Sequence, residues 1–301
     1  MHGFLNINKP RGITSFEVVK RIRRYFPRQR VGHLGTLDPM ADGVLPLAVG
    51  QATRLTNLLL EGNKGYRAEM TLGAVADTQD AWGELTYVTA DIDLELSELL
   101  AVLDMFRGEI EQVPPMYSAV NYQGQRLYKL ARQGISVEVQ PRRVTIYSLE
   151  LVESHLEGPP YRVVLDVVCS KGTYIRTLCH DIGQALGCGA YLSGLTRYFS
   201  GPFRLEEAVA LEEAERLVGQ GDKSILLPFD FPLAHLPRVV LEDQNAIKKL
   251  RNGNTISVAN LPAAALVRIY SPGNEVLVLG RPLVNPEGEM RLQPYKVFNF
   301  N

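Results

Sequence analysis

Asp38 is the residue of this chain best placed to do chemistry. It lies in the run Gly32-His33-Leu34-Gly35-Thr36-Leu37-Asp38-Pro39-Met40-Ala41-Asp42-Gly43, which holds three glycines, a proline, a histidine and two carboxylates in twelve residues. Glycines let a backbone bend sharply or approach a ligand closely. Pro39 biases Asp38 away from helical geometry. A carboxylate held on such a loop is presented rather than packed. It can act as a base, or attack an electrophilic carbon and form a covalent intermediate. The same residues would equally make a tight turn between two elements. His33 could stack, donate a hydrogen bond, or be a satisfied structural residue.

Three further clusters carry chemistry-bearing side chains. Asn63-Lys64-Gly65-Tyr66-Arg67 alternates cation, ring and cation at the start of an alternating pattern. A base can stack on such a ring while phosphates meet the cations; a strand edge kept soluble by Lys and Arg reads the same way. Cys169-Ser170-Lys171-Gly172-Thr173-Tyr174-Ile175-Arg176 ends a strand, turns on glycine and opens a helix. Arg176 could pair with a carboxylate such as Asp38 and hold it ionised. The bland alternative is a surface turn capped by threonine. The stretch from Gln112 to Tyr128 joins Pro114-Pro115, three tyrosines and Arg126, followed by Lys129 and Arg132. It suits a loop that grips nucleic acid by stacking and charge, or a mobile surface loop.

Other chemistries lack their signatures. There is no phosphate-binding glycine loop, no GxGxxG after a strand and no GxSxG elbow. The five histidines are scattered, and none has metal-ligand spacing. The expected chemistry therefore uses no metal and no cofactor.

The elements that must position these residues are partly legible. Thr14-Ser15-Phe16-Glu17 reads as a helix start, and the helix should run to about Tyr25. Val44 to Val49, Tyr66 to Leu72, Val144 to Val152 and Tyr161 to Val168 read as strands. The patterns near Ile92 to Phe106, Thr173 to Leu186 and Leu205 to Leu217 predict helices, and a short helical piece is expected within Gly124 to Gly134. Pro228 to Pro237 is the expected domain border. Short strands beyond it, at Thr255–Val258, Leu266–Tyr270, Glu275–Arg281 and Met290–Leu292, predict a small β-rich domain.

At 301 residues the chain can hold a sizeable core, and its 46% apolar and 22% charged residues are ordinary for a globular protein. No apolar run is long enough to span a membrane. The first residues lack a signal-peptide layout, so the cytoplasm is expected. Cys169, Cys179 and Cys188 suggest neither a disulfide framework nor a zinc site. Net charge is −1, yet residues 1–34 hold eight Lys or Arg against a single acid, Glu17. That asymmetry suggests a basic face for a polyanion, or a solvated helix face.

Taken together these clusters resemble the TruB family, the tRNA pseudouridine-55 synthases. The resemblance rests on Gly35-Thr36-Leu37-Asp38-Pro39 with Ala41 and Gly43, on Asn8-Lys9-Pro10 with Gly12 and Ser15, and on Lys64 with Tyr66. Pro114-Pro115 with Tyr117-Ser118-Ala119, Gly172-Thr173-Tyr174-Ile175-Arg176, and Leu192, Leu195 and Arg197 before Gly201-Pro202-Phe203 follow in the same order. The resemblance implies an α+β fold: a mixed, largely antiparallel sheet flanked by helices. A catalytic domain would cover residues 1–231, with an RNA-gripping loop at about 115–140. A small C-terminal β-rich, PUA-like RNA-binding domain would cover 236–301.

It implies that one uridine in the T arm of tRNA is flipped out and isomerised to pseudouridine. Asp38 would be the essential nucleophile, attacking the ribose or C6 or else taking a ribose proton; Tyr66 would stack on the base, and Arg176 would pair with Asp38. Tyr174 and Leu195 would line the pocket. His33 would fill the place of the extruded base. Lys9, Lys64 and Arg126 would meet the RNA. The partner would be the tRNA T stem-loop, with no membrane and no obligate protein partner, and the chain would be a monomer. Action on another RNA, or non-catalytic RNA binding or folding, are the alternatives. Two departures from the family pattern, Asn121 and the run Ala76-Asp77-Thr78 followed by Asp80, are expected not to touch the pocket residues.

Overall fold

The structure, a computed structural model, describes residues 1–300. It is α+β, as expected. Ten strands form one mixed sheet, and the order along its main path is Val209–Ala210, Gly3–Lys9, Asp42–Val49, Ala190–Ser200, Lys64–Leu72, Arg162–Cys169, Arg142–His155 and Gly108–Gln112. Val31–His33 and Phe203–Arg204 pair beside this path. Two junctions are parallel: Gly3–Lys9 with Val209–Ala210, and Asp42–Val49 with Ala190–Ser200. The other pairings are antiparallel.

The central strands Lys64–Leu72 and Arg162–Cys169 alternate as their sequences suggest, with Ala68, Met70, Leu165 and Val167 in the core. Strand Gly3–Lys9 has no such alternation, because both its faces are buried. Leu5 and Ile7 enter the main core, and Phe4 enters a second cluster with Val44, Ala48, Phe203, Phe229, Leu279 and Phe298. Burying a side chain of this size contributes roughly 1.5–3 kcal/mol. Strand Ala190–Ser200 went unread for a related reason: Gly194 and the buried Arg197 interrupt its apolar pattern.

Helix Ser15–Arg23 starts where expected. The Thr14 hydroxyl accepts the Glu17 N–H at 3.0 Å, and Val18, Val19 and Ile22 face the core. Helix Ile175–Ala185 packs on the sheet through Ile175, Leu178, Cys179 and Ile182. The acidic helix runs Leu211–Gly219 rather than from Leu205. Val209 and Ala210 are taken instead by the sheet edge, where they pair with Ile7 and Asn8. The helix expected from Ile92 begins at Leu96, where a Glu95–Glu98 capping box fixes its start.

Beyond residue 237 a five-stranded sheet runs in the order Arg238–Val240, Val267–Tyr270, Val276–Val284, Met290–Val297 and Ile256–Ser257. It also carries helix Gln244–Arg251, whose Asp243 cap and Ile247 and Leu250 face were not read as a helix. The proline-rich segment before this sheet is packed rather than free, with Phe229 and Leu233 buried in the second cluster. No helix among the described residues is long and apolar enough to cross a membrane.

Candidate active site

The loop that carries Asp38 is held at almost every residue around it. The Ser15 hydroxyl accepts the Leu37 N–H and donates to the Leu37 carbonyl, each at 2.8 Å. The start of helix Ser15–Arg23 is thereby locked to the residue before Asp38. The Gly12 N–H donates to the Pro39 carbonyl at 2.9 Å, and the Ala41 N–H closes a turn on the Asp38 carbonyl at 3.1 Å. Gly43 then enters the sheet at φ +100°, and a Cβ there would lie 2.3 Å from the Arg197 carbonyl. Only glycine meets both conditions. The result is a rigid turn with the Asp38 side chain 34% exposed.

Arg176 lies against that carboxylate. Its Nε is 2.8 Å from Asp38 Oδ2, an ion pair whose N–H is not aligned as a hydrogen bond. The guanidinium is only 4% exposed and gathers three further partners. Nη1 donates to the Thr78 carbonyl at 2.9 Å and lies 3.4 Å from Asp80 Oδ2. Nη2 donates to the Tyr117 carbonyl at 3.0 Å. One buried cation thus joins the Asp38 loop, the turn at 77–83 and the tyrosine-rich loop.

This corrects the expectation that the Ala76-to-Asp80 departure stands clear of the pocket residues. Asp80 is buried beside Arg176, and its Oδ1 accepts from the Thr78 hydroxyl at 2.9 Å and the Trp82 N–H at 3.0 Å. A carboxylate that touches an arginine 96 positions away leaves no local signature in the sequence. Gln112 was missed in the same way. Buried at the end of its strand, it accepts the Tyr174 N–H at 3.1 Å and donates to the Tyr174 carbonyl at 3.2 Å. It therefore fixes the start of the helix that carries Arg176.

Tyr66 is buried on the central strand, opposite Arg197 on one side and Val167 on the other. Burial pushes its phenol above the ordinary value, and Arg197 pulls the other way. Leu195 is buried on the same strand as Arg197, opposite Ala68. Arg197 is wholly buried. Its Nε donates to the Val44 carbonyl at 2.7 Å, Nη1 to Thr36 at 3.3 Å and Nη2 to Gly35 at 3.2 Å. It belongs with the site as a brace of both ends of the loop.

Lys9 and Lys64 differ from the sequence-based reading of them as RNA contacts. Lys9 is fully buried, and its Nζ donates to the Pro10 and Ile13 carbonyls at 2.9 Å and reaches Pro39 at 3.5 Å. Lys64 donates to the Gly62 and Leu60 carbonyls at 2.9 and 3.2 Å. Burial pushes each ammonium down to about 8. Both brace backbone instead of facing solvent. His33 is half-buried on its short strand, and burial followed by the charge of Arg197 lowers its pKa.

Tyr174 is half-buried beside Arg176. Arg126 is exposed and folds back to donate to the Ala119 carbonyl of its own loop. That loop is anchored by the buried Leu127 and Leu130 and by the Tyr128 N–H, which donates to the Ser118 carbonyl at 3.0 Å. Of the eight N-terminal cations, Lys9 is buried, Arg11 pairs with Asp42 at 2.7 Å, and Arg21 is held by Glu215 and Glu212. Lys20, Arg23, Arg24, Arg28 and Arg30 remain exposed.

Residues 23–175 match the family model described as TruB family pseudouridylate synthase, N-terminal domain. Residues 176–234 match the tRNA pseudouridylate synthase B C-terminal domain. The chain is 49% identical to tRNA pseudouridine synthase B of Syntrophomonas wolfei subsp. wolfei, over the whole of both chains. It is 44% identical to the protein of that name from Moorella thermoacetica, over 98% of each. Among solved structures it is similar to a chain of an H/ACA RNP bound to a substrate RNA containing 2'-deoxyuridine. There the TM-score is 0.72 at 28% identity, covering 99% of this chain and 85% of that one. The Asp38 loop and Tyr66 lie within the first matched segment and Arg176 opens the second, and the chain belongs to the TruB family of pseudouridylate synthases.

Proposed function

We propose that this protein isomerises a uridine in the T arm of tRNA to pseudouridine, with Asp38 as nucleophile. The observation that carries the reading is the Asp38–Arg176 ion pair on a rigid, glycine-shaped loop braced by Arg197, the cross-strand neighbour of Tyr66. Full-length identity to proteins named tRNA pseudouridine synthase B supports tRNA as the substrate. A uracil ring inside a stacked loop offers no access to C5 and C1′, so the nucleotide is flipped out. Tyr66 and Leu195 then bound the base, and Tyr174 covers its edge. His33 fills the place it left.

Arg176 pairs with Asp38 and orients it. The carboxylate attacks C1′ as the N1–C1′ bond breaks. The uracil turns, C5 bonds to C1′ and releases Asp38, the C5 proton is removed and N1 gains one. The exposed cations from Lys20 to Arg30, with the loop at about 115–140 and its Arg126, hold the T-arm backbone. A catalytic domain over 1–231 and a PUA-like RNA-binding domain over 236–301 describe the organisation. The protein acts as a cytoplasmic monomer.

The test is incubation with unmodified tRNA in EDTA without added cofactor, followed by mapping of pseudouridine. Asp38→Asn should abolish product while tRNA affinity stays within about tenfold, roughly 1.4 kcal/mol. An active Asp38→Asn enzyme would sink the mechanism.

A further inference from the structure

Three cations sit inside the protein around the Asp38 loop. Lys9 and Arg197 have no exposure, and Lys64 has 8%. Among the described residues, none of the three has a carboxylate within ion-pair distance; their donors go to main-chain carbonyls. Lys64 and Arg197 converge. A Cβ built on Gly35 would meet Lys64 Cε at 3.6 Å and Arg197 Nη1 at 3.8 Å. Arg197 in turn lies across the sheet from Tyr66.

An unpaired buried charge costs several kcal/mol, and apolar side chains of similar volume are usually as stable or more so. The depressed lysines register that cost. Burial also keeps all three from meeting RNA phosphate. Positive charge retained here at such expense is suited to an anion that forms inside the site.

The proposed reaction, on which this inference rests, forms one. When the C1′–N1 bond breaks, its electron pair leaves with uracil and spreads over N1, O2 and O4, while a carboxylate oxygen of Asp38 bonds to C1′. When C5 later attacks C1′, the pair forms the C5–C1′ bond, Asp38 departs with its own pair, the C5 proton is lost and N1 takes up a proton from solvent. Between the two steps uracil is an anion. We propose that Lys64 and Arg197, with Lys9 behind the loop, form a fixed positive floor that stabilises the uracil anion. They act through space in a site of low dielectric, where preorganised charge counts for far more than in water.

The experiment compares single-turnover consumption of a T-arm stem-loop carrying uridine with one carrying 5-fluorouridine at the target. Fluorine stabilises the departing anion and makes it a better leaving group. Lys64→Met should slow uridine consumption by about 10²–10³-fold, the usual effect of losing one fixed charge-stabilising group. Its slowing on 5-fluorouridine should be smaller by at least about tenfold, with stem-loop affinity unchanged. Lys64→Arg should retain most of the rate. If Lys64→Met melts below the assay temperature, Lys64→Gln carries the same comparison. Equal slowing on both substrates, or loss of RNA affinity, would overturn the proposal and leave Lys64 a brace only. Absence of pseudouridine formation by the unaltered enzyme would instead overturn the function reading.

Discussion

Asp80 Oδ2 lies 3.4 Å from Arg176 Nη1, while the Nε of the same guanidinium lies 2.8 Å from Asp38. Arg176 is therefore shared between two carboxylates, one buried and one presented. Asp80 gives the arginine a fixed seat, and Asp38 is oriented from that seat. Asp80→Asn keeps the shape and removes the charge. Turnover should fall by about 10–100-fold with tRNA affinity within about threefold, because small misplacements of a reacting group are costly. Single-turnover rates and filter binding check this; an unchanged rate would leave Asp80 no part in orienting Arg176.

Binding should weaken as salt rises, since phosphate contacts release counterions. The structure separates the free cations from the committed ones. Arg23→Ala with Arg24→Ala should flatten the log–log salt dependence by about two, near one per lost phosphate contact. Arg21→Ala should leave that slope alone and lower thermal stability, because Arg21 ties its helix to Glu215. Equal slopes for the two variants would contradict the assignment.

Asp181 is the clearest pH marker. Partial burial in helix Ile175–Ala185 pushes its carboxyl up to about 6 from 3.8. The folded chain then binds this proton more tightly than the unfolded chain, so the group favours folding at low pH, and that contribution is lost as pH rises from 3.8 through 6. At neutral pH its charge costs stability. Asp181→Asn should melt a few degrees higher at pH 7.5, and the gain should vanish below about pH 4, as followed by thermal unfolding across pH. A variant less stable at pH 7.5 would rule the account out.

The sequence was informative where chemistry and spacing coincide. The Asp38 turn and the Arg176 helix were readable from glycine, proline and capping residues and the Tyr66 strand from its alternation, and the structure pairs Arg176 with Asp38 and sets Tyr66 opposite Arg197, which braces the Asp38 loop. Strand Ala190–Ser200 was not readable, because a buried arginine breaks its apolar pattern. The roles of Asp80, Gln112 and Lys9 also stayed hidden. Each depends on a partner fixed only by tertiary packing or, for Lys9, on burial of a residue type usually exposed.

Phe4, Val44 and Ala48 point away from the main core into the cluster shared with Leu279 of the C-terminal sheet and with Phe298 just beyond its last strand. The strand that receives the Asp38 loop is therefore upholstered on one face by a segment more than two hundred residues later. This has a consequence for modularity. The C-terminal sheet is not an appendage that can be shed or swapped to retarget the enzyme. A change at Leu279 or Phe298 would be felt at the Asp38 loop as loosened support beneath its receiving strand, without altering any residue of the loop itself.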